Sequence, residues 1–183
     1  DDLKYAVSTT ESWTITTVDS DGDEGKYTSL AVNAEGKAHI SYYDDTNDDL
    51  KYAENTKNPA SWITVTLDSL GAVGKYTSLA IDTRGNTHIS YYDDTKNVLK
   101  YITDASSVWE STIVDNSTSV GEYTSLALSS LNNVYISYYD RLKGNLKYAT
   151  NVSNSWVSET LDSDGDVGGY TSITLDSSNN VHI

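Results

Sequence analysis

One pattern, written four times, governs what this chain can fold into. Leu-Lys-Tyr begins at Leu3, Leu50, Leu99 and Leu146, a tryptophan stands at Trp13, Trp62, Trp109 and Trp156, and Tyr-Thr-Ser begins at Tyr27, Tyr76, Tyr123 and Tyr170. Successive tryptophans are 49, 47 and 47 residues apart, and the Tyr-Thr-Ser landmarks keep the same intervals. A fixed period of this size, carried by aromatic and glycine landmarks, marks units that cannot bury their apolar faces alone and must stack on their own kind.

Inside a unit the pattern is of strands. In the second unit, residues 76–82 are a β-prone run, and the turn at 83–86 places Gly85 where a left-handed backbone is needed. Residues 88–93 predict a second strand, 94–97 a turn, 98–102 a third strand and, after a looser polar link, 109–114 a fourth. No helical periodicity interrupts this order. Tyr91 shares a face with Ile89 while Tyr92 shares the other with Ser90, so both faces carry bulk and both need covering. A four-stranded antiparallel sheet held between like neighbours is the blade of a β-propeller. Other repeats fit poorly: β-helix coils are shorter than about 30 residues, leucine-rich repeats need roughly 20–29 and a leucine ladder, and immunoglobulin-like modules run to about 100. A trefoil would need three units.

The expected fold is therefore all-β, a propeller of four-stranded antiparallel blades with four repeat units. Residues 1–26 would supply the third and fourth strands of one unit, 27–75, 76–122 and 123–169 three whole blades, and 170–183 the first and second strands of another. Aligning Ile183 with Ile40 and Asp1 with Asp48 leaves a four-bladed ring short of seven residues, 41–47. This favours an array completed by a longer chain or by another copy, with 1–19 pairing against 170–183. Gly25, Gly74, Gly121 and Gly168, just ahead of each Tyr-Thr-Ser, are expected to share one backbone conformation with positive φ.

The chain of 183 residues has no Phe, Met or Cys, and its aromatic mass is 15 Tyr and 4 Trp. Such side chains bury a large body but keep one polar tip, which suits many thin sheets better than one thick core. The net charge, 12 minus 27 or −15, argues against nucleic acid and anionic membrane surfaces as partners. No run approaches the roughly 20 apolar residues of a membrane span. Absence of cysteine leaves the redox compartment open. Two glycosylation-type sequons, at Asn116 and Asn151, fall within the frequency expected of so Asn- and Ser-rich a sequence.

The units lack the Trp-Asp and Gly-His landmarks of WD40 blades and the double glycine of kelch. Gly-x-Tyr-Thr-Ser-Leu-Ala at 74–80, His-Ile-Ser-Tyr-Tyr-Asp at 88–93 and Leu-Lys-Tyr-Ala at 50–53 resemble the tandem blades of large secreted prokaryotic proteins. The resemblance covers the whole chain and implies a sialidase-like propeller at the level of fold. It also implies an extracellular or cell-surface location, and it carries no assigned activity.

Functional residues in a repeat are best sought where the repetition fails. His39, His88 and His182 occupy one repeat position where the third unit has Tyr135, which reads as packing rather than catalysis or metal ligation. The acidic turns are more suggestive. Asp19, Asp21 and Asp23 alternate around Gly22, and Asp162, Asp164 and Asp166 around Gly165, the spacing with which a calcium loop gathers hard oxygens. The second and third units lose the middle acids, and no twelfth-position Glu closes the loop.

Catalysis is not expected. A sialidase-type site needs clustered arginines, and Arg84 and Arg141 stand at different repeat positions. Nucleophilic triads and phosphate-cradling glycine loops are also missing. A glycoside hydrolase built on paired carboxylates is the less favoured enzymatic reading. The leading expectation is a non-catalytic extracellular module, a structural or adhesive scaffold whose partners are other copies or flanking blades. The alternative is a lectin-like module binding glycans at repeated weak sites.

Overall fold

The computed structural model of the protein describes residues 1–8, 10–56 and 61–183, and their regular structure is entirely strand. β1 (Leu3–Ser8) and β2 (Trp13–Asp19) form a two-stranded pair. Three four-stranded antiparallel sheets follow: β3 (Glu24–Val32) to β6 (Trp62–Asp68) through β4 (Ala38–Asp44) and β5 (Asp49–Asn55); β7 (Val73–Ile81) to β10 (Glu110–Asp115) through β8 (Thr87–Asp93) and β9 (Val98–Thr103); and β11 (Val120–Leu128) to β14 (Val157–Asp162) through β12 (Val134–Asp140) and β13 (Asn145–Thr150). β15 (Thr174–Leu175) and β16 (Val181–His182) make a second two-stranded pair. This is the blade order expected from the repeat. Among the described residues the pairing expected between 1–19 and 170–183 is not seen within the chain: β1 pairs with β2 and β16 with β15.

The first strand of each four-stranded sheet starts earlier than its Tyr-Thr-Ser, so the expected boundaries at 26/27, 75/76 and 122/123 fall inside β3, β7 and β11. Two bulges explain the early start. β7 pairs with β8 as Val73↔Asp93, Lys75↔Tyr92 and Ser78↔Ser90, with irregularities between them. The extra residues have left-handed backbones, Gly74 at φ 104° and Tyr76 at φ 55°. The other three glycines agree with expectation, at φ 90°, 110° and 96°. Glycine is needed here for space as well, because a Cβ on Gly74 would lie 2.7 Å from the Cα of Leu50 in the preceding sheet. Tyr27, Tyr123 and Tyr170 share the conformation of Tyr76, at φ 53°, 54° and 58°. A bulge bends its strand and re-aims the side chains around it; here it lays each tyrosine ring over its neighbour's.

The core lies between the sheets. One cluster joins Leu50 and Tyr52 of the first complete sheet to Val73, Leu79, Ile89, Tyr91 and Ile102 of the second. β4 and β8 are buried at every position, whereas β14 is exposed throughout. The inner strand β7 packs against β3 on one side and β11 on the other.

Trp62, Trp109 and Trp156 are half-buried, set edge to face on Tyr5, Tyr52 and Tyr101 of the preceding unit, with centroids 5.0, 5.2 and 5.1 Å apart. Trp109 and Trp156 stand one residue before their strands rather than in them. Trp13 departs from the expected equivalence and is 69% exposed. Replacing Trp109 with alanine should cost about 2 kcal/mol, less than a fully buried tryptophan would, because half the ring already meets water. Urea unfolding followed by circular dichroism checks this, and Trp109→Phe should recover about half the loss.

Candidate functional site

The repeated residues are consumed by the seams between sheets. The hydroxyl of Thr77 donates to Ser41 Oγ at 2.8 Å, and Thr171 repeats this on Ser137 at 3.0 Å. The backbone N–H groups of Leu79, Leu126 and Ile173 donate to Ser29, Ser78 and Ser125 of the preceding unit at 2.9, 3.0 and 3.2 Å. Along the inner edge the rings of Tyr27, Tyr76, Tyr123 and Tyr170 stand 4.7, 4.6 and 4.2 Å apart. With the adjoining threonines they line a shallow groove of about 290 Å³.

A buried ionic bond completes each of the first three seams. Asp115, ending β10, accepts from Lys147 Nζ at 2.5 Å and from the Tyr138 hydroxyl at 2.6 Å, both in the next sheet. Asp68 is held in the same way by Lys100 and Tyr91, and Asp19 by Lys51 and Tyr42. Burial works against these aspartates' charges, but the lysine, tyrosine and backbone donors outweigh it and hold all three below the ordinary carboxylate pKa.

The six turn acids are not gathered into a cation site. Asp19 belongs to a seam, and Asp23 pairs with Lys26 at 3.2 Å. Asp21 and Asp164 serve through their backbone N–H groups, which donate to Asp19 and Asp162. Asp166 accepts from the Tyr139 hydroxyl at 2.6 Å, a bond that Tyr43 and Tyr92 make to Asp48 and Asn97, where the third unit has Gly144. Among the described residues no group of three or more Asp, Glu, His or Cys side chains is placed to hold a metal ion.

His39 Nδ1 and His88 Nδ1 each lie 2.5 Å from a tyrosine hydroxyl, Tyr52 and Tyr101, in the neighbouring strand. Burial pushes both imidazoles below their usual pKa, so they are neutral at pH 7. In the third unit Tyr135 stacks with Tyr148 at 6.3 Å in their place. Arg84 sits in the turn between β7 and β8, and Arg141 in the turn between β12 and β13, at the opposite end of the sheets, where it donates to Glu122.

The repetition breaks most sharply in the third unit. A cleft of about 390 Å³ there is lined by Asn132, Asn133, Asn151, Asn154, Ser155 and Trp156. Two turns build it, one joining β11 to β12 and one joining β13 to β14. Asn132 and Asn154 hold left-handed conformations at φ 65° and 61°, which the short amide side chain tolerates. The side-chain oxygen Oδ1 of Asn132 accepts from the Thr83 hydroxyl at 3.0 Å, and Oδ1 of Asn151 from the Val134 N–H at 2.8 Å. Their NH₂ groups make none of these bonds and remain as donors. The matching positions of the second unit are Gly85, Asn86, Asp104 and Ser107, so the uncharged, four-amide lining belongs to the third unit. In the sequence these asparagines look like ordinary turn residues, whereas the acidic turns stand out.

Fold and seams together define a β-propeller. Three solved structures share its architecture: the intramolecular trans-sialidase of Ruminococcus gnavus (TM-score 0.61, 13% identity, covering 94% of this chain and 42% of that one), the GH93 α-L-arabinofuranosidase of Fusarium graminearum (0.54, 12%, 82% and 52%), and a fucose lectin from Kordia zhangzhouensis (0.51, 15%, 75% and 99%). The chain thus spans about half or less of the two enzymes' length. At these identities the likeness is one of fold. No protein-family model matches the sequence, and no curated protein does.

Proposed function

We propose that the chain is a non-catalytic, extracellular carbohydrate-binding propeller module, with the seams as scaffold and the third-unit cleft as its sugar subsite. The observation that carries this reading is the lining of that cleft: amides, a serine and an indole, with no charged side chain. Amide NH₂ groups suit hydroxyl and ring oxygens, and the indole offers an apolar surface to sugar C–H groups. Supporting it are the names of the structural neighbours, a fucose lectin and two glycan-processing enzymes. The separation of the two arginines and the neutral, tyrosine-bound histidines speak for binding without chemistry.

A glycan array, followed by calorimetry with the best neutral saccharide, tests the reading. Asn154→Asp places a charge in the cleft without touching a seam, and should weaken binding at least about tenfold, or about 1.4 kcal/mol, with the unfolding transition unchanged. Binding indifferent to Asn154→Asp and Asn133→Ala, or no saccharide retained at all, would discard it.

A further inference from the structure

His88 stands behind two walls of the third-unit cleft at once. It is buried in the second unit, outside the lining, and joined to that lining by two separate routes. On one side its Nδ1 meets the Tyr101 hydroxyl, and the Tyr101 ring receives the indole of Trp156 edge to face, with centroids 5.1 Å apart. On the other side its Nε2 lies 3.5 Å from Asp82 Oδ2. Asp82 ties the turn between β7 and β8, accepting the N–H groups of Arg84 and Asn86 at 2.8 Å and the Asn86 side-chain amide at 2.9 Å. From that turn Thr83 donates through its N–H and its hydroxyl to Oδ1 of Asn132. Trp156 and Asn132 both line the cleft.

The repeat sets this arrangement apart. His39 has Asn33 where His88 has Asp82, and Tyr135 has Ser129, so of the three whole blades only the one behind the cleft pairs an imidazole with a carboxylate. The neutral ring has a donor on one nitrogen alone, and its Nε2 is buried without a hydrogen bond. A second proton changes both contacts. The Tyr101 hydroxyl must then accept from Nδ1, and the Nε2–H draws Asp82 away from the donors of its turn. The charges facing the ring are Asp82 and Asp104. β7 and β11, which lie against β8, carry Lys75, Tyr76, Glu122 and Tyr123 at the opposite end of the sheets, Lys100 of β9 is held by Asp68, and Arg84 is exposed in the turn. Burial keeps the imidazole below its ordinary pKa of 6.5, against the pull of the two aspartates.

We propose that His88 is the positioning residue of the third-unit cleft, holding its indole and amide walls when neutral and loosening both when protonated, so that mild acid releases the saccharide. The released ligand is the one inferred above, and in this respect the proposal rests on that reading; the coupling of His88 to the walls does not.

Nuclear magnetic resonance on the whole chain, without ligand, reads the walls between about pH 7.5 and 5. The His88 ring, the Trp156 indole N–H and the Asn132 side-chain NH₂ should shift with one midpoint below 6.5. His88→Asn keeps a polar atom toward Tyr101 but does not titrate, and should hold both wall signals still. His39→Asn, the same change in the first unit, should leave their shift intact. Asp82→Asn removes a charge that favours the protonated ring, and should move the shared midpoint to lower pH. Calorimetry with the array's best saccharide should give affinity at least about fivefold weaker at pH 5 than at pH 7 in the wild type, and no such loss in His88→Asn. A His88 ring that does not titrate in this range, wall signals that ignore its midpoint, or saccharide affinity equal at the two pH values would each overturn the proposal. A shared midpoint with no saccharide bound at either pH supports the coupling and discards the sugar reading alone.

Discussion

Replacing Gly74 with valine should destabilise the protein by about 4 kcal/mol, combining left-handed strain of about 1–3 kcal/mol with overpacking of about 1–3 kcal/mol. The obstacle is backbone rather than a yielding side chain: the new Cβ would meet Leu50 Cα at 2.7 Å and Leu50 N at 3.1 Å. Gly85→Ala isolates the strain, since Gly85 has φ 89° with nothing within 4 Å of its would-be Cβ. It should cost only about 1 kcal/mol. Urea unfolding of both variants measures the difference. Equal losses would mean that the close approach of β7 to the preceding sheet contributes nothing.

The buried ionic bonds carry the second large effect. Asp115→Ala leaves the Lys147 ammonium buried over the Tyr138 ring, 5.6 Å from its centroid, with its carboxylate partner gone. The expected loss is about 3–5 kcal/mol, and pairing the change with Lys147→Met should recover most of it. Acid titrates the same bonds. Asp68 and Asp115 have folded pKa values depressed below the ordinary 3.8, so their contribution is complete above that value and lost as pH falls through the folded pKa. Wild-type stability should therefore drop steeply below about pH 4, and Asp115→Ala should flatten that drop. The first seam also holds Glu24, where the second and third have Val73 and Val120. Burial, with Asp19 and Asp44 nearby, pushes its carboxyl up despite Lys51, so its protonation on mild acidification is favourable to the fold. The second and third seams are the cleaner place to read the effect.

Much of this architecture was legible because the repeat states it four times. The blade order followed from Tyr-Thr-Ser, His-Ile-Ser and Leu-Lys-Tyr, and the positive φ of Gly74 from its place ahead of an inner strand. Other features had no local signal. A tyrosine at φ 55° contradicts the steric preference of every residue with a Cβ, and the ring contacts it gains, across sheets and within its own, are made by residues far apart in sequence or on another strand. The bond of Asp115 to Lys147 spans 32 residues and two sheets, so periodicity could name both residues without joining them. The candidate site was harder still. Asn132, Asn133, Asn151 and Asn154 look like ordinary turn residues, and only the meeting of two turns turns them into one lining. The acidic turns were more conspicuous, yet Asp19, Asp23 and Asp166 are engaged by lysine or tyrosine and Asp162 by its own turn.

The seams are written so that each unit holds the donor for one neighbour and the acceptor for the other: Thr77 reaches back to Ser41, while Ser78 receives Leu126 from ahead. Removing one complete period, or inserting one, brings the same kind of donor opposite the same kind of acceptor and rebuilds an equivalent junction. A gene encoding such a chain can lengthen or shorten by unequal recombination without any compensating substitution, provided the step is a whole period. Variation in length among descendants should come in whole units, and a fractional insertion should survive only in the turns.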